Sequence, residues 1–330
     1  MKILMIGNFS GWMGLHLNHF ISGFRSRGHI VYPADYNKMS RFGGIFPLND
    51  KLSCELRQRG LEKLITSLRP DMVMMVSSCK FDLERLRGYY SGIISFYDYD
   101  GPRRNKMEDY LRFKTVDMFL TVSEYTRRNL TELGINAHYL AHGVDTGYYA
   151  PAELSPTEKK KFGSAFSYVG RATDRRSEYC REIANLGLAL YGKRWRSNSK
   201  CIAAGLDSCN RLKRDVVGRE LVMIYSASDA VLNILQEPLD QFQTILSLQN
   251  FAIPSAGACI LTEYVEELPG AFVLGEEVLA FQSKEELREQ AARCVREPGL
   301  VRKIGAAARK RCLAEHTHEK RVDAIMELIG

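Results

Sequence analysis

The sequence predicts an α/β protein made of two Rossmann-like domains that face a central cleft. Three observations carry this reading. Short apolar runs suited to buried strands alternate with amphipathic helical stretches from the first residue, the signature of parallel sheets layered with helices. The series breaks once, at the polar, proline-containing and charge-rich stretch ELSPTEKKKFG, and then starts again. At 330 residues the chain exceeds the size at which a single core stops growing, and roughly 150 residues per domain is the natural division. The expected layout is an N-terminal domain over 1–152, a linker over 153–163 and a C-terminal domain over 164–330, with a terminal helix that packs back on the first domain.

In chain order, KILMIGN reads as the first strand, broken at Gly7 and Asn8, and is followed by the helical HLNHFISGFRSRG and the strand HIVYPA. RQRGLEKLITSLRP leads into DMVMMVSS; GIISFYDYD follows, then YLRFKT into DMFLTVS and SEYTRRNLTELG into INAHYLA. Strands this apolar need helices on both faces. The second series runs AFSYVGR, SEYCREIANLGLALYGKRW, LVMIYSASDAVLNIL, FAIPSAGACILTE and AFVLG. It finishes in the helical KEELREQAARCVRE and GLVRKIGAAARKRCLAEH and in a last helix over Glu319–Ile329. The stretch NFAIPSAGACILTEY reads as a strand-and-turn platform closed by those helices.

Composition narrows the function classes. With 45% hydrophobic and 26% charged residues, and neither a repeat nor a low-complexity tract, the chain is neither disordered nor fibrous. The opening apolar run is too short for a signal segment or a membrane span, so the expected location is cytoplasmic, with room for peripheral contact at the inner membrane surface. The eight cysteines are scattered, without a CxxC pair or a Cys/His spacing that suits zinc. They read as reduced, mostly buried thiols, and no metal site is expected. A net charge of +7 suits phosphorylated ligands, nucleic acid or an anionic surface alike. Nucleic acid is not an expected partner, because no basic stripe with interleaved aromatics is present. Oligomeric state has no signal in the sequence.

Several motifs point to a phosphate-bearing ligand. GNFSGWMGLH places Gly7, Gly11 and Gly14 between a strand and a helix, where backbone N–H groups approach a ligand. The spacing is not GxGxxG, which removes the nicotinamide and flavin fingerprint. His16 is near enough to this loop to face the cleft, whereas His19 reads as packing. SYVGRATDRRSEYC sets Gly170 and Arg171 at a strand end and Arg175 and Arg176 ahead of a helix that Asp174 is placed to cap. Several guanidinium groups beside a helix amino terminus suit a diphosphate. LALYGKRW supplies Gly192 and Lys193 at a further strand end, with Trp195 read as core rather than as a base-stacking ring. SAGACILTEY puts Thr262 and Glu263 at the carboxyl end of a buried strand. In FYDYDGPRR, Asp98 and Asp100 alternate on one strand and so share a face, where a carboxylate orients or deprotonates an acceptor hydroxyl. Turn-forming aspartates ahead of Gly101-Pro102 are the plainer reading of the same letters.

At these residues the chain resembles the GT-B-fold glycosyltransferases, in particular the spore-maturation-protein-type (CgeB-like) branch of the group-1 transferases. DMFLTVSEYTRRNLTELGINAHYLAHGVDTGYYAP is similar to the family's hinge passage, SYVGR and LALYGKRW to the strands opening its donor domain, and IYSASDAVLN, with Asn233, to another recurring segment. The stretch from Ile253 to Arg321 resembles the family's ending. The resemblance implies a nucleoside-diphosphate sugar held by the second domain, an acceptor held mainly by the first, and no obligatory metal or other cofactor. Carried over by position, Gly170, Arg171, Arg175 and Arg176 face the donor diphosphate, and Thr262, Glu263 and Tyr264 form the loop beside it. The chain departs from the pattern where Arg-x-Phe-Glu is usual: here Gln249, Asn250, Phe251 and Ala252 stand. The replaced glutamate binds the donor ribose in the family. Either Glu263 or another group makes that contact here, or donor binding is altered or lost.

The expected activity is transfer of a sugar to a hydroxyl of a glycan, lipid-linked or protein acceptor, with retention of configuration. The candidate catalytic residues are Asp98, Asp100 and His16, and Gly11 and Gly14 are the acceptor-side loop. A non-catalytic binding subunit and a sugar-nucleotide epimerase or hydrolase on the same frame are the alternatives.

Overall fold

The computed structural model describes residues 1–39, 50–77, 81–99, 107–235 and 245–330. The chain divides into two compact units, Met1–His142 with His318–Gly330, and Gly143–Thr317.

The first unit contains β1 (Lys2–Gly7), α1 (Gly11–Ser26), β2 (Ile30–Asp35), α2 (Tyr36–Met39), α3 (Asp50–Leu68), β3 (Met72–Val76), α4 (Leu83–Tyr89), β4 (Ile93–Asp98), β5 (Met118–Thr121), α5 (Glu124–Glu132) and β6 (Ala137–Tyr139). Its six strands are parallel in the order β2-β1-β3-β4-β5-β6. β3, MVMMV, is buried at every residue, as a strand covered on both faces must be. α1 shows the helical counterpart: Met13, Leu17, Phe20, Ile21 and Phe24 recur at three- and four-residue spacing and are all buried.

The second unit contains α6 (Pro156–Phe162), β7 (Ser164–Val169), α7 (Asp174–Glu182), β8 (Leu188–Tyr191), α8 (Ser199–Ala203), β9 (Asn210–Leu212), α9 (Arg219–Ala227), β10 (Ser228–Asn233), α10 (Gln249–Ser255), β11 (Cys259–Glu263), α11 (Leu268–Ala271), β12 (Leu279–Phe281), α12 (Lys284–Arg296) and α13 (Pro298–Glu315). The chain then returns to the first unit as α14 (His318–Ile329), which packs on α1. The second sheet is parallel in the order β12-β11-β10-β7-β8-β9. Trp195 is fully buried in its core, as expected, beside Tyr168 and Leu190.

Two parallel α/β units thus give the fold class read from the sequence, but several elements differ in detail. FAIPS is the end of helix α10 rather than a strand; its residues from Asn250 to Ser255 are all buried, so no alternation distinguishes helix from strand. LVMIYSA is helix α9, and only the following SDAVLN is strand β10. AFVLG contributes no strand to the sheet; Leu274 and Val278 form an isolated bridge, and β12 is LAF. YLRFKT lies in a 3-10 helix over Met107–Thr115. The segment read as a linker holds α6, started by a capping box in which Ser155 and Glu158 satisfy each other's backbone N–H groups around Pro156 at the first helical position. Asp100 and Cys79 lie outside the described residues; the described cysteines are free thiols, buried except for Cys54 and the half-buried Cys209.

Close packing of α13 against the start of β11 depends on Gly305. A Cβ there would meet the Gly257 carbonyl oxygen at 2.7 Å and the Cys259 nitrogen at 3.0 Å, both backbone atoms. Gly305→Ala is expected to destabilise the protein by about 1–3 kcal/mol through overpacking. Gly299 on the same helix has nothing within 4 Å of its Cβ position, and Gly299→Ala is expected to be neutral or to stabilise by up to about 1 kcal/mol. Urea unfolding of the two variants checks both.

Candidate functional site

The order of the second sheet locates a crevice. β7 lies in the middle, the chain winds outward to β8 and β9 on one side, then crosses back to β10, β11 and β12 on the other. Ligands of open parallel sheets bind outside the carboxyl ends of the strands where the winding reverses, here between β7 and β10.

The turn after β7 is pinned from below. Gly170 N–H donates to the Tyr191 carbonyl at 2.9 Å, Ala172 N–H to that of Lys193 at 3.0 Å, and Trp195 Nε1–H to that of Gly170 at 2.9 Å. Gly192 has φ +142°, and a Cβ there would stand 2.2 Å from the Gly170 oxygen, so only glycine fits. Arg171, next in the chain, is exposed and makes no ion pair among the described residues. The cap of α7 is Thr173, whose hydroxyl accepts from Arg176 N–H at 3.3 Å. Asp174, the cap expected from the sequence, is instead the first helical residue. It pairs at the surface with Lys200, whose hydrogen bond, with that of Asn198, lowers its pKa.

Arg175 and Arg176 reach across the reversal point. Arg176 Nε and one terminal nitrogen donate to the Ile234 carbonyl at 3.3 Å, and the other donates to the Arg171 carbonyl at 3.2 Å. The guanidinium lies 5.6 Å from the Tyr168 ring centre. Arg175 forms a bidentate pair with Glu263 at the end of β11 and donates to the Leu235 carbonyl at 3.0 Å. Its guanidinium rests 4.8 Å over the Tyr179 ring. The Glu263 side chain has no solvent exposure, that of Arg175 keeps 19%, and Glu263 also accepts from Leu235 N–H at 2.9 Å. Both guanidinium groups are therefore engaged with the ends of β10 and β11.

A second polar group lies beneath. Asn233 Nδ2 donates to Asn250 Oδ1 and Thr262 Oγ1, Asn250 Nδ2 donates to Thr262 Oγ1, each at 3.1 Å, and Ser247 Oγ donates to Asn250 Oδ1 at 3.0 Å. Asn233, Asn250 and Thr262 are buried, and mutual hydrogen bonding is what makes such burial tolerable. Gln249 fixes the same helix start, donating to the Val169 carbonyl at 3.1 Å. Ala252, where the resembling family has its ribose-binding glutamate, is buried in α10. Glu263 is occupied by Arg175.

The other expected residues are placed as follows. Gly192 and Lys193 follow β8, with Lys193 paired to Asp215 at 2.5 Å on the surface. Tyr264, half-buried, anchors its N–H on the Phe281 carbonyl. In the first unit, Gly11 takes the left-handed conformation at φ +58°, and Gly14 allows α1 to pass under Phe9, whose oxygen would lie 2.3 Å from a Cβ. Asp98 ends β4 and is buried. His16 does not line an open surface: it is buried, packed edge-on by the exposed Trp12 at 5.4 Å, and burial with the neighbouring His19 lowers its pKa to about 4. Among the described residues no three His, Cys, Asp or Glu side chains are grouped to hold a metal ion, and no helix is long and apolar enough to cross a membrane.

Sequence reasoning missed the Arg175–Glu263 pair and the role of Asn250. The signal for Asn250 was a polar residue at the head of the apolar FAIP run. Glu263→Gln is expected to lower stability by about 3–5 kcal/mol, because breaking a buried pair strands its partner. The Arg175→Met/Glu263→Met double variant is expected to lose less than the sum of the single changes, measured by a denaturant double-mutant cycle.

Residues 175–327 match a protein-family model described as Glycosyl transferase-like. A comparison with curated proteins finds no match. Among solved structures, sucrose-phosphate synthase from Thermosynechococcus elongatus is similar over 100% of this chain and 98% of its own, with 11% identity and a TM-score of 0.73. A glycosyltransferase from Rickettsia africae is similar over 99% and 97%, with 12% identity and a TM-score of 0.72. Anabaena Alr3699/HepE in complex with UDP is similar over 100% and 99%, with 11% identity and a TM-score of 0.70. At such identities the structures share the fold with this chain, two parallel α/β units of the GT-B type. The match over residues 175–327 takes in Arg175 and Arg176, β10, α10 and β11 on one side of the candidate crevice, and it supports the enzyme class expected from the sequence: glycosyltransferase.

Proposed function

We propose that this protein is a group-1-type transferase of the spore-maturation (CgeB-like) branch. It moves a sugar from a nucleoside-diphosphate sugar to a hydroxyl of a glycan, lipid-linked or protein acceptor, without an obligatory metal. The observation that carries the proposal is the family match over 175–327, which includes β10 and β11 on one side of the reversal point of the second sheet. The Anabaena structures in complex with UDP and with UDP-glucose support a nucleotide-sugar donor on this fold.

In this reading the diphosphate lies outside the ends of β7 and β10. Arg171, which makes no ion pair among the described residues, supplies a guanidinium, and the first-turn N–H groups of Asp174 and Arg175, which have no intrahelical acceptor, supply the helix end. As the bond from the anomeric carbon to the diphosphate oxygen breaks, negative charge grows on the leaving group, and these fixed positive groups stabilise it. Arg175 and Arg176 hold the frame rather than the phosphate. With retention, the departing phosphate takes the acceptor proton; Asp98 or Asp100 would serve as base under inversion.

One observation favours a second reading, a binding subunit without turnover. Arg175, Arg176, Asn233, Thr262 and Glu263 all spend their side chains on protein partners, and alanine occupies position 252.

A thermal-shift panel of nucleoside diphosphates, followed by turnover of nucleotide sugars with mixed acceptors, separates the readings. The expected outcome is stabilisation by at least one nucleoside diphosphate and consumption of its sugar conjugate only with an acceptor. Binding without turnover selects the subunit reading, and no binding at all overturns both. Arg171→Ala is expected to weaken diphosphate affinity roughly 10- to 100-fold, the value of one charge-assisted contact, with an unchanged melting temperature.

A further inference from the structure

The first unit contains a group of imidazoles that the proposed reaction does not use. His16 and His19 lie on α1, His142 follows β6, and His318 opens α14. His16, His142 and His318 are 5%, 4% and 3% exposed. The His16 and His19 ring centres are 6.2 Å apart, and those of His19 and His318 are 6.3 Å apart. Phe20 packs on His318 at 5.7 Å, and Tyr99 packs edge-on against His142 at 4.4 Å.

Polar satisfaction is poor there. Nδ1 of His16, Nδ1 of His142 and both ring nitrogens of His318 are buried without a hydrogen-bond partner among the described residues. The contact is also tight, since a Cβ at Gly23 on α1 would stand 2.9 Å from that of His318. Arg321, one turn further along α14, donates from Nε to the Ala141 carbonyl at 2.8 Å and to that of His142 at 3.2 Å. The first unit leaves off at His142 and resumes at His318, so the residues at both chain crossings are gathered in this one cluster.

We propose that His16, His142 and His318 form an acid-released clamp, which docks α14 and the segment after β6 on α1 while every imidazole is neutral and lets them go on protonation. This inference stands on the first unit alone and does not depend on the transferase reading.

The groups acting on His318 are His16 and His19 from α1, His142 from the segment after β6 and Arg321 from its own helix, and each disfavours a proton. Burial acts in the same direction and is the largest cause. His142 is lowered to about 3 by burial, His16 and Arg321. His16 is lowered to about 4 by burial and His19. Burial pushes Tyr97 in β4 well above its usual pKa, and Arg321 is among the groups that lower both His142 and His318. A histidine whose folded pKa lies below its unfolded value of about 6.5 stabilises the docked state fully above that pH. The stabilisation declines as pH falls from about 6.5 toward the folded values, because the open state binds more protons.

Hydrogen–deuterium exchange of the whole protein between pH 7.5 and pH 5, corrected for intrinsic exchange, tests the clamp. The opening constant of α14 is expected to rise below pH 6.5 by up to about tenfold per pH unit for each proton taken up, while α12 in the second unit stays flat. His318→Phe, which keeps a ring against Phe20, and separately His142→Gln, are each expected to reduce that slope. Flat protection in α14, an equal rise in α12, or an unchanged slope in the folded variants overturns the proposal. Should neither variant fold, histidine NMR titration of the unmodified chain decides: imidazoles of α14 and α1 that protonate at or above pH 6.5 with α14 still docked contradict it.

Discussion

The second unit depends on one charge arrangement, the Arg175 guanidinium clasped by the solvent-free Glu263 carboxylate across the ends of β7, β10 and β11. At the winding reversal of a parallel sheet the strands diverge and leave backbone groups facing a crevice. Leu235 N–H, the Leu235 carbonyl and the Ile234 carbonyl are such groups, and Glu263, Arg175 and Arg176 satisfy them respectively. Neither charge would be tolerated there alone. With Arg175 and Arg176 so engaged, Arg171 is the guanidinium of this turn that is exposed and makes no ion pair among the described residues.

This arrangement explains why the site was only partly legible in the sequence. Gly170 and Gly192 read correctly as strand-end turns, and the structure adds the reason for glycine at 192, the oxygen 2.2 Å from its Cβ position. Trp195 read correctly as core. The basic cluster at 171–176 was visible as composition, but which guanidinium stays open depends on Glu263, 88 residues away in the chain, and no local pattern encodes that distance. Position 252 stood out because alanine interrupts a resembling motif. What lies around it, the network of Asn233, Asn250 and Thr262, is a product of three separate elements meeting.

The fold was more legible than the site because strand burial leaves a local mark. MVMMV and ILMIG are continuous apolar runs, and both became central strands. Where the same kind of run became a helix, as in NFAIPS, every residue is buried and the periodicity that separates the two forms is lost. The first unit shows the opposite limit. Its histidines are scattered over 302 positions from His16 to His318 in the sequence, and only the return of α14 to α1 makes them neighbours. A histidine read as facing a ligand is, in the fold, part of a buried ring cluster.

The most direct measurement of the central claim is a backbone NMR or hydrogen-exchange footprint of a bound nucleoside diphosphate on the full chain. The placement of the donor at the reversal point predicts protection confined to the turn after β7, the first turn of α7 and the ends of β10 and β11. Protection located elsewhere, or none at saturating ligand, would contradict it.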